Sequence, residues 1–206
     1  MRRTFLTVAV LIGLGVGLQA CGTKSAPAPQ ASCNFVQNAE QQRVSWKSQA
    51  PVVMYIDGSV PTEFTANIQA AVDTWNTAIG HEVIKIGGWT QGTGIPAQDG
   101  QNVIYYMRTW EADRPQEQAR TTIYWAGDRI DEADVRINAH NFTFSSGSQA
   151  QVNEVDIQSL LVHEFGHVLG LAHTATPQSV MVKSLPSDTL RRSLSSDDLN
   201  SIGCEY

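Results

Sequence analysis

The stretch His163-Glu164-Phe165-Gly166-His167-Val168-Leu169-Gly170-Leu171-Ala172-His173 decides how the chain is read. His163 and His167 are four residues apart, so on a helix they share one face, a turn apart. Two imidazole nitrogens placed in this way can both reach one metal ion at ~2.0–2.1 Å. Glu164 follows the first imidazole and projects beside that ion rather than onto it, where a general base for a water has to stand. Gly170 lets the chain leave the helix through a conformation that glycine adopts at little cost, and the turn can bring back His173 as a third nitrogen. Three neutral imidazoles leave a fourth position open, as in a catalytic rather than a closed structural zinc site. Three of the chain's five histidines fall within this one segment, which packing alone does not explain.

Outward from this segment the periodicities change. Residues 155–169 read as the helix that carries the histidines, and 195–202 as a short closing helix with Asp197 and Asp198 in its first turn. Upstream, 52–56 is a short β-prone run stopped by Asp57-Gly58. After Pro61-Thr62-Glu63, the residues Phe64, Ile68, Ala71, Val72, Trp75, Ala78 and Ile79 recur at helical spacing until Gly80. Further strands are expected at 83–86, broken by Gly87-Gly88, at 102–107, around 121–125 and at 133–138, with a short edge strand at 142–144. Early strands plus a few helices, without βαβ alternation, suggest the fold class α+β.

The eleven-residue segment matches the H-E-x-x-H-x-x-G-x-x-H signature and resembles the zinc helix of the metzincin metalloproteases. Ser179-Val180-Met181 resembles their Met-turn, with Met181 as its methionine. Within that group the chain resembles a matrixin, the matrix-metalloprotease-like branch. The likeness rests on the helix of Phe64, Ile68, Ala71 and Trp75, the strand Ala133-Asp134-Val135-Arg136-Ile137, the lead-in 155–160 and the helix 194–202, over roughly residues 50–206. It implies a metzincin-like catalytic domain: a twisted, mostly parallel sheet with an antiparallel edge strand, about three helices and a Met-turn. It also implies one catalytic Zn²⁺ on His163, His167 and His173. Peptide bonds of extracellular or envelope proteins would be hydrolysed by a zinc-bound water, with Glu164 as general base. The substrate is expected to lie extended along an edge strand, for which 137–145 is the candidate, with loop 174–190 as a pocket wall. Two alternatives stay open, a non-catalytic zinc-binding envelope lipoprotein and a zinc hydrolase of a non-peptide substrate; the intact Glu164 argues against the first. Vertebrate matrixins hold a structural zinc and calcium in a longer stretch where this chain has, between Asn138 and His163, only His140. No structural zinc is therefore expected. Calcium is not indicated and is left open, and His81 and His140 read as surface or structural residues. No inhibitory propeptide is recognisable.

The start of the chain reads as an address. Met1-Arg2-Arg3 is basic and residues 5–18 are uncharged and apolar, too short to span a membrane comfortably. Leu18-Gln19-Ala20-Cys21 resembles the lipobox of bacterial lipoproteins, although Gln19 departs from the usual small residue. Residues 1–20 are thus expected to be a lipoprotein signal peptide and Cys21 the lipid-attachment point, exporting the protein to the cell envelope (the outer membrane in a Gram-negative cell). An ordinary secretory leader, with Cys21 incidental, and an uncleaved anchor are the alternatives. Residues 21–48, rich in Ala, Pro, Gln and Ser, read as a flexible tether, and 49–206 as the catalytic domain. The chain has three cysteines. With Cys21 acylated, Cys33 and Cys204 form an even pair in an oxidising setting and are expected to make a disulfide, two free thiols being the alternative. The net charge is −6 and no Lys/Arg cluster occurs, which argues against a nucleic-acid partner. A monomer acting on protein or peptide substrates, held to the membrane by its lipid, is the expectation.

Overall fold

The computed structural model describes residues 32–91 and 94–206. The first helix opens as a 3-10 turn, Thr62–Phe64, and runs into α1, Thr65–Ile79. Ile68, Ala71, Val72 and Trp75 are buried along one stripe, as their spacing requires, while Ala78 in the last turn faces solvent. Gly80 ends α1 at φ 87°, a left-handed conformation free of Cβ cost only for glycine. α1 joins β1, Val52–Asp57, to β2, Ile84–Thr90, and these strands pair in parallel. One βαβ unit is therefore present, contrary to the expectation of none. Asn76 fixes where β2 begins: its Oδ1 accepts from Val83 N and Ile84 N at 2.8 and 3.1 Å, and its Nδ2 donates to Ile84 O at 2.9 Å. β2 also runs through Gly87-Gly88 instead of breaking there. The pair lies opposite a register shift between Met54 and Tyr55, and a Cβ on Gly87 would overlap the Tyr55 ring and Val53. These glycines serve a bulge and a close approach.

Three more strands, β3 (Asn102–Met107), β4 (Ala119–Ala126) and β5 (Arg129–Asn138), complete a five-stranded sheet in the order β2-β1-β3-β5-β4. All neighbours are parallel except β4, which folds back antiparallel on β5. The substrate edge expected at 137–145 is corrected by this topology. Ile137 pairs with Tyr106 on one side and Ala119 on the other. Phe144 and Ser145 form β6, which pairs with β7 (Val155–Asp156) in a separate two-stranded sheet. The sheet's edges are β2 and β4, and on this side the edge belongs to β4, because the β4–β5 hairpin carries it outside β5.

One face of the large sheet packs against α1 and α2, Ile157–Val168. Met54, Ile56, Ile104, Val135 and Ile137 from the strands meet Ile68, Trp75, Leu161 and Phe165 from the helices, all but fully buried. Trp75 Nε1 donates to Val162 O at 2.9 Å and locks the two helices together. α3, Ser196–Ile202, closes the fold, with Ser195 and Asp198 forming a capping box at its start. Among the described residues the architecture is α+β and metzincin-like, with three α-helices and a mostly parallel sheet.

The tether expected over 21–48 is corrected over its described part, 32–48. Phe35, Val44 and Trp46 are 3, 0 and 4% exposed and belong to the main core. A turn between them, with Asn38 N donating to Gln42 O at 3.0 Å, doubles the segment back on itself. Three large apolar side chains dispersed among polar residues are enough to dock it. Cys33 is disulfide-bonded to Cys204, with their α-carbons 6.4 Å apart. The signal segment and Cys21 lie outside the described residues.

Candidate functional site

β7 runs directly into α2, whose N-cap is Asp156: its Oδ1 accepts from Ser159 N at 2.8 Å. About two and three turns on, His163 and His167 look out from one face while Leu161, Phe165 and Val168 hold the other in the core. At the C-terminal end of α2 the last carbonyls need partners. Trp46 Nε1 donates to Val168 O at 2.7 Å and the Tyr206 hydroxyl to Leu169 O at 2.9 Å. Gly170 follows at φ 99°, and a Cβ there would overlap Val44 O. Both facts demand glycine, and the turn they allow brings His173 back over the helix.

The Nε2 atoms of His163, His167 and His173 converge to 3.1, 3.1 and 3.2 Å from one another. Among the described residues this is the only group of three or more His, Cys, Asp or Glu whose ligand atoms meet. His163 Nδ1 donates to Val180 O at 2.6 Å and His167 Nδ1 to Leu171 O at 2.7 Å. A carbonyl only accepts, so these Nδ1 atoms carry the proton and the converging Nε2 atoms carry bare lone pairs. Burial pushes all three imidazoles down to about 4, so the set is neutral at pH 7. Lone pairs facing one another this closely fit a cation between them. A tetrahedral zinc at ~2.0–2.1 Å from each nitrogen would set them ~3.3–3.4 Å apart, close to the spacing found. The donor set therefore fits zinc.

Glu164 is 3% exposed. Thr121, on β4, donates from Oγ1 to its Oε2 at 2.6 Å. Oε1 has no hydrogen-bond partner among the described residues, and Glu164 lines the cleft. Burial raises its pKa, opposed by the nearby His167 and the Thr121 bond. Met181 is wholly buried, and a Cβ on Gly166 would overlap its sulfur, so α2 and Met181 touch at a glycine. The segment before it is held from α3: Asp198 Oδ1 accepts from Ser179 Oγ, and Oδ2 from Val180 N at 3.1 Å. Because Val180 O in turn receives His163, α3 reaches the first imidazole through a single residue. His81 and His140 are exposed and stand apart from the triad.

A cleft of about 640 Å³ runs past the triad between β4 and residues 180–185. Ala119, Thr121 and Ile123 form one side; Leu160, Val182 and Leu185 line the other. A family model for matrixins, the M10 peptidases, matches residues 60–206. The chain belongs to the matrixin family. Two plant proteins are also similar to this matrixin over short segments. Metalloendoproteinase 1 of Glycine max is 40% identical over 47 residues, 23% of this chain and 15% of that protein. Metalloendoproteinase 2-MMP of Arabidopsis thaliana is 38% identical over 52 residues, 25% of this chain and 14% of that protein. The matched segments thus span about a seventh of each relative's length.

Two residues of this matrixin site were not singled out for it by sequence. Thr121 carries no motif at all. Asp198 announces itself only as a first-turn acid in a Ser195-x-x-Asp198 cap, and nothing local reveals its hold on Ser179 and Val180.

Proposed function

We propose that this matrixin is a zinc-dependent endopeptidase, exported and held to the cell envelope through Cys21, that cleaves extended segments of extracellular or envelope proteins. The observation that carries the reading is the triangle of bare Nε2 atoms with a buried carboxylate beside it, on a helix that opens onto a cleft. A zinc ion held by His163, His167 and His173 would supply Lewis acidity, polarising a scissile carbonyl and making a water easier to deprotonate. Glu164 accepts that water's proton at Oε1 and passes it to the departing amine. Thr121 fixes the other carboxylate oxygen and so sets where Oε1 points. The outer edge of β4 offers unpaired main-chain groups to an extended peptide, which would join the sheet as a sixth strand. Leu160, Val182 and Leu185 give an apolar wall for a side chain next to the cut bond.

The test is Glu164→Ala. One equivalent of zinc should remain bound, since Glu164 is not a ligand, while cleavage of a mixed peptide library should fall to background. Cleavage by the variant at the wild-type rate would overturn the reading. For the anchor, Cys21→Ala should abolish incorporation of labelled fatty acid and release the protein from the membrane fraction.

A further inference from the structure

We propose that Asn34 is a positioning residue for His173, and that residues 33–36 act as a clamp on the turn 170–172; the inference rests on the reading of the triad as a zinc site. His163 and His167 are each oriented by a hydrogen bond from Nδ1 to a carbonyl. His173 is the exposed member of the three, and its Nδ1 has no such partner among the described residues. Its place is therefore set by the backbone on either side of it. On the far side, Thr174 N donates to Met181 O at 3.0 Å. On the near side, both backbone polar groups of Ala172 are bound by one residue. Ala172 N donates to Asn34 O at 2.7 Å, and Asn34 Nδ2 donates to Ala172 O at 2.8 Å.

The neighbouring bonds make this a clamp. Val36 N donates to Gly170 O at 2.9 Å, and Phe35 bridges antiparallel to Leu171. Leu171 O is the acceptor that orients His167, so the same short segment braces the second imidazole as well. Asn34 stands at φ 58°, a left-handed conformation that Asn tolerates better than most residues. In that conformation its own carbonyl and its side-chain amide both engage Ala172. Its neighbour Cys33 is bonded to Cys204, which ties the clamp to the chain beyond α3. Groups that hydrogen-bond a metal ligand directly typically govern affinity by 10–100-fold, which bounds what Asn34, acting one residue away from His173, contributes.

Two variants separate the contributions. Asn34→Gly accepts the positive φ and keeps the backbone acceptor, losing only the amide. Asn34→Asp keeps the shape but sets a carboxylate against Ala172 O. Zinc affinity is read by competition with a chromophoric chelator, the ligand field by the visible absorption of the Co²⁺-loaded protein, and folding by the thermal midpoint of the metal-free protein. The zinc Kd should rise about tenfold in Asn34→Gly and further in Asn34→Asp. The Co²⁺ bands should change in the same order, while the metal-free midpoint of Asn34→Gly stays at the wild-type value. A wild type that binds no zinc overturns the zinc reading and this inference with it. A wild type that binds zinc, with both variants matching it within about twofold, overturns the inference alone. Affinity lost only in proportion to a lowered metal-free midpoint overturns it too, because the effect would then be on folding.

Discussion

Thr121 is one hydroxyl on an edge strand, yet it bonds the carboxylate proposed to move protons, 43 residues away. A hydrogen bond to a charged group contributes about 1.5–3 kcal/mol. Thr121→Val keeps the branched shape and removes the donor, so kcat should fall roughly ten- to a hundredfold with KM little changed. A rise in KM alone, with kcat unchanged, would show that the hydroxyl serves binding instead. Asp134 carries a second residue-scale effect. It is 1% exposed; Oδ1 accepts from Val103 N at 3.0 Å, and Oδ2 has no hydrogen-bond partner among the described residues. Burial, reinforced by the charges of Glu132 and Asp99, pushes its carboxyl up to about 7. The folded state therefore keeps a proton that the unfolded chain releases near pH ~4. Stability must decline as pH rises between those values. Asp134→Asn retains the acceptor for Val103 and removes the charge. Its thermal midpoint should exceed the wild type's at pH 8 and converge toward it by pH 5; an offset independent of pH would refute the assignment.

At the scale of elements, α2 is the part the sequence displays best. Its histidines, its Glu and its terminal glycine are all local, so spacing alone places them on one face with a turn behind. What lies at the far end of a contact is not local. Trp46 reaches Val168 across 122 residues and Asn34 reaches Ala172 across 138, and no periodicity encodes either. The same difficulty hid residues 33–48, whose polar composition resembles a linker although three apolar side chains dock it. It also misplaced the edge: 133–138 alternates and 142–144 reads as a short edge strand, but β4 is the strand that folds outside. Gly170 is where local and distant demands meet. Gly170→Ala would combine a strained positive φ with overlap against Val44 O, a cost of roughly 2–4 kcal/mol. The thermal midpoint should drop by about 5–15 °C, and zinc binding should weaken with it. A variant as stable as wild type would show that the turn can relax.

The described part of the molecule is knit from both its ends toward α2. Trp46 and Tyr206 cap the same helix end, and Glu205 binds Arg43, Lys47 and Ser45. The bond between Cys33 and Cys204 closes this arrangement covalently across 171 residues of sequence. Topologically, the domain is a ring rather than a line. A ring cut once stays a single molecule. A peptide bond severed anywhere from residue 34 to 203 would leave both pieces attached, still bearing the three histidines in one covalent unit. Limited proteolysis within the exposed stretch 94–101 should therefore yield one band on a gel without reductant and two with it. Nicking would be survivable here where for an open chain it would be dismemberment.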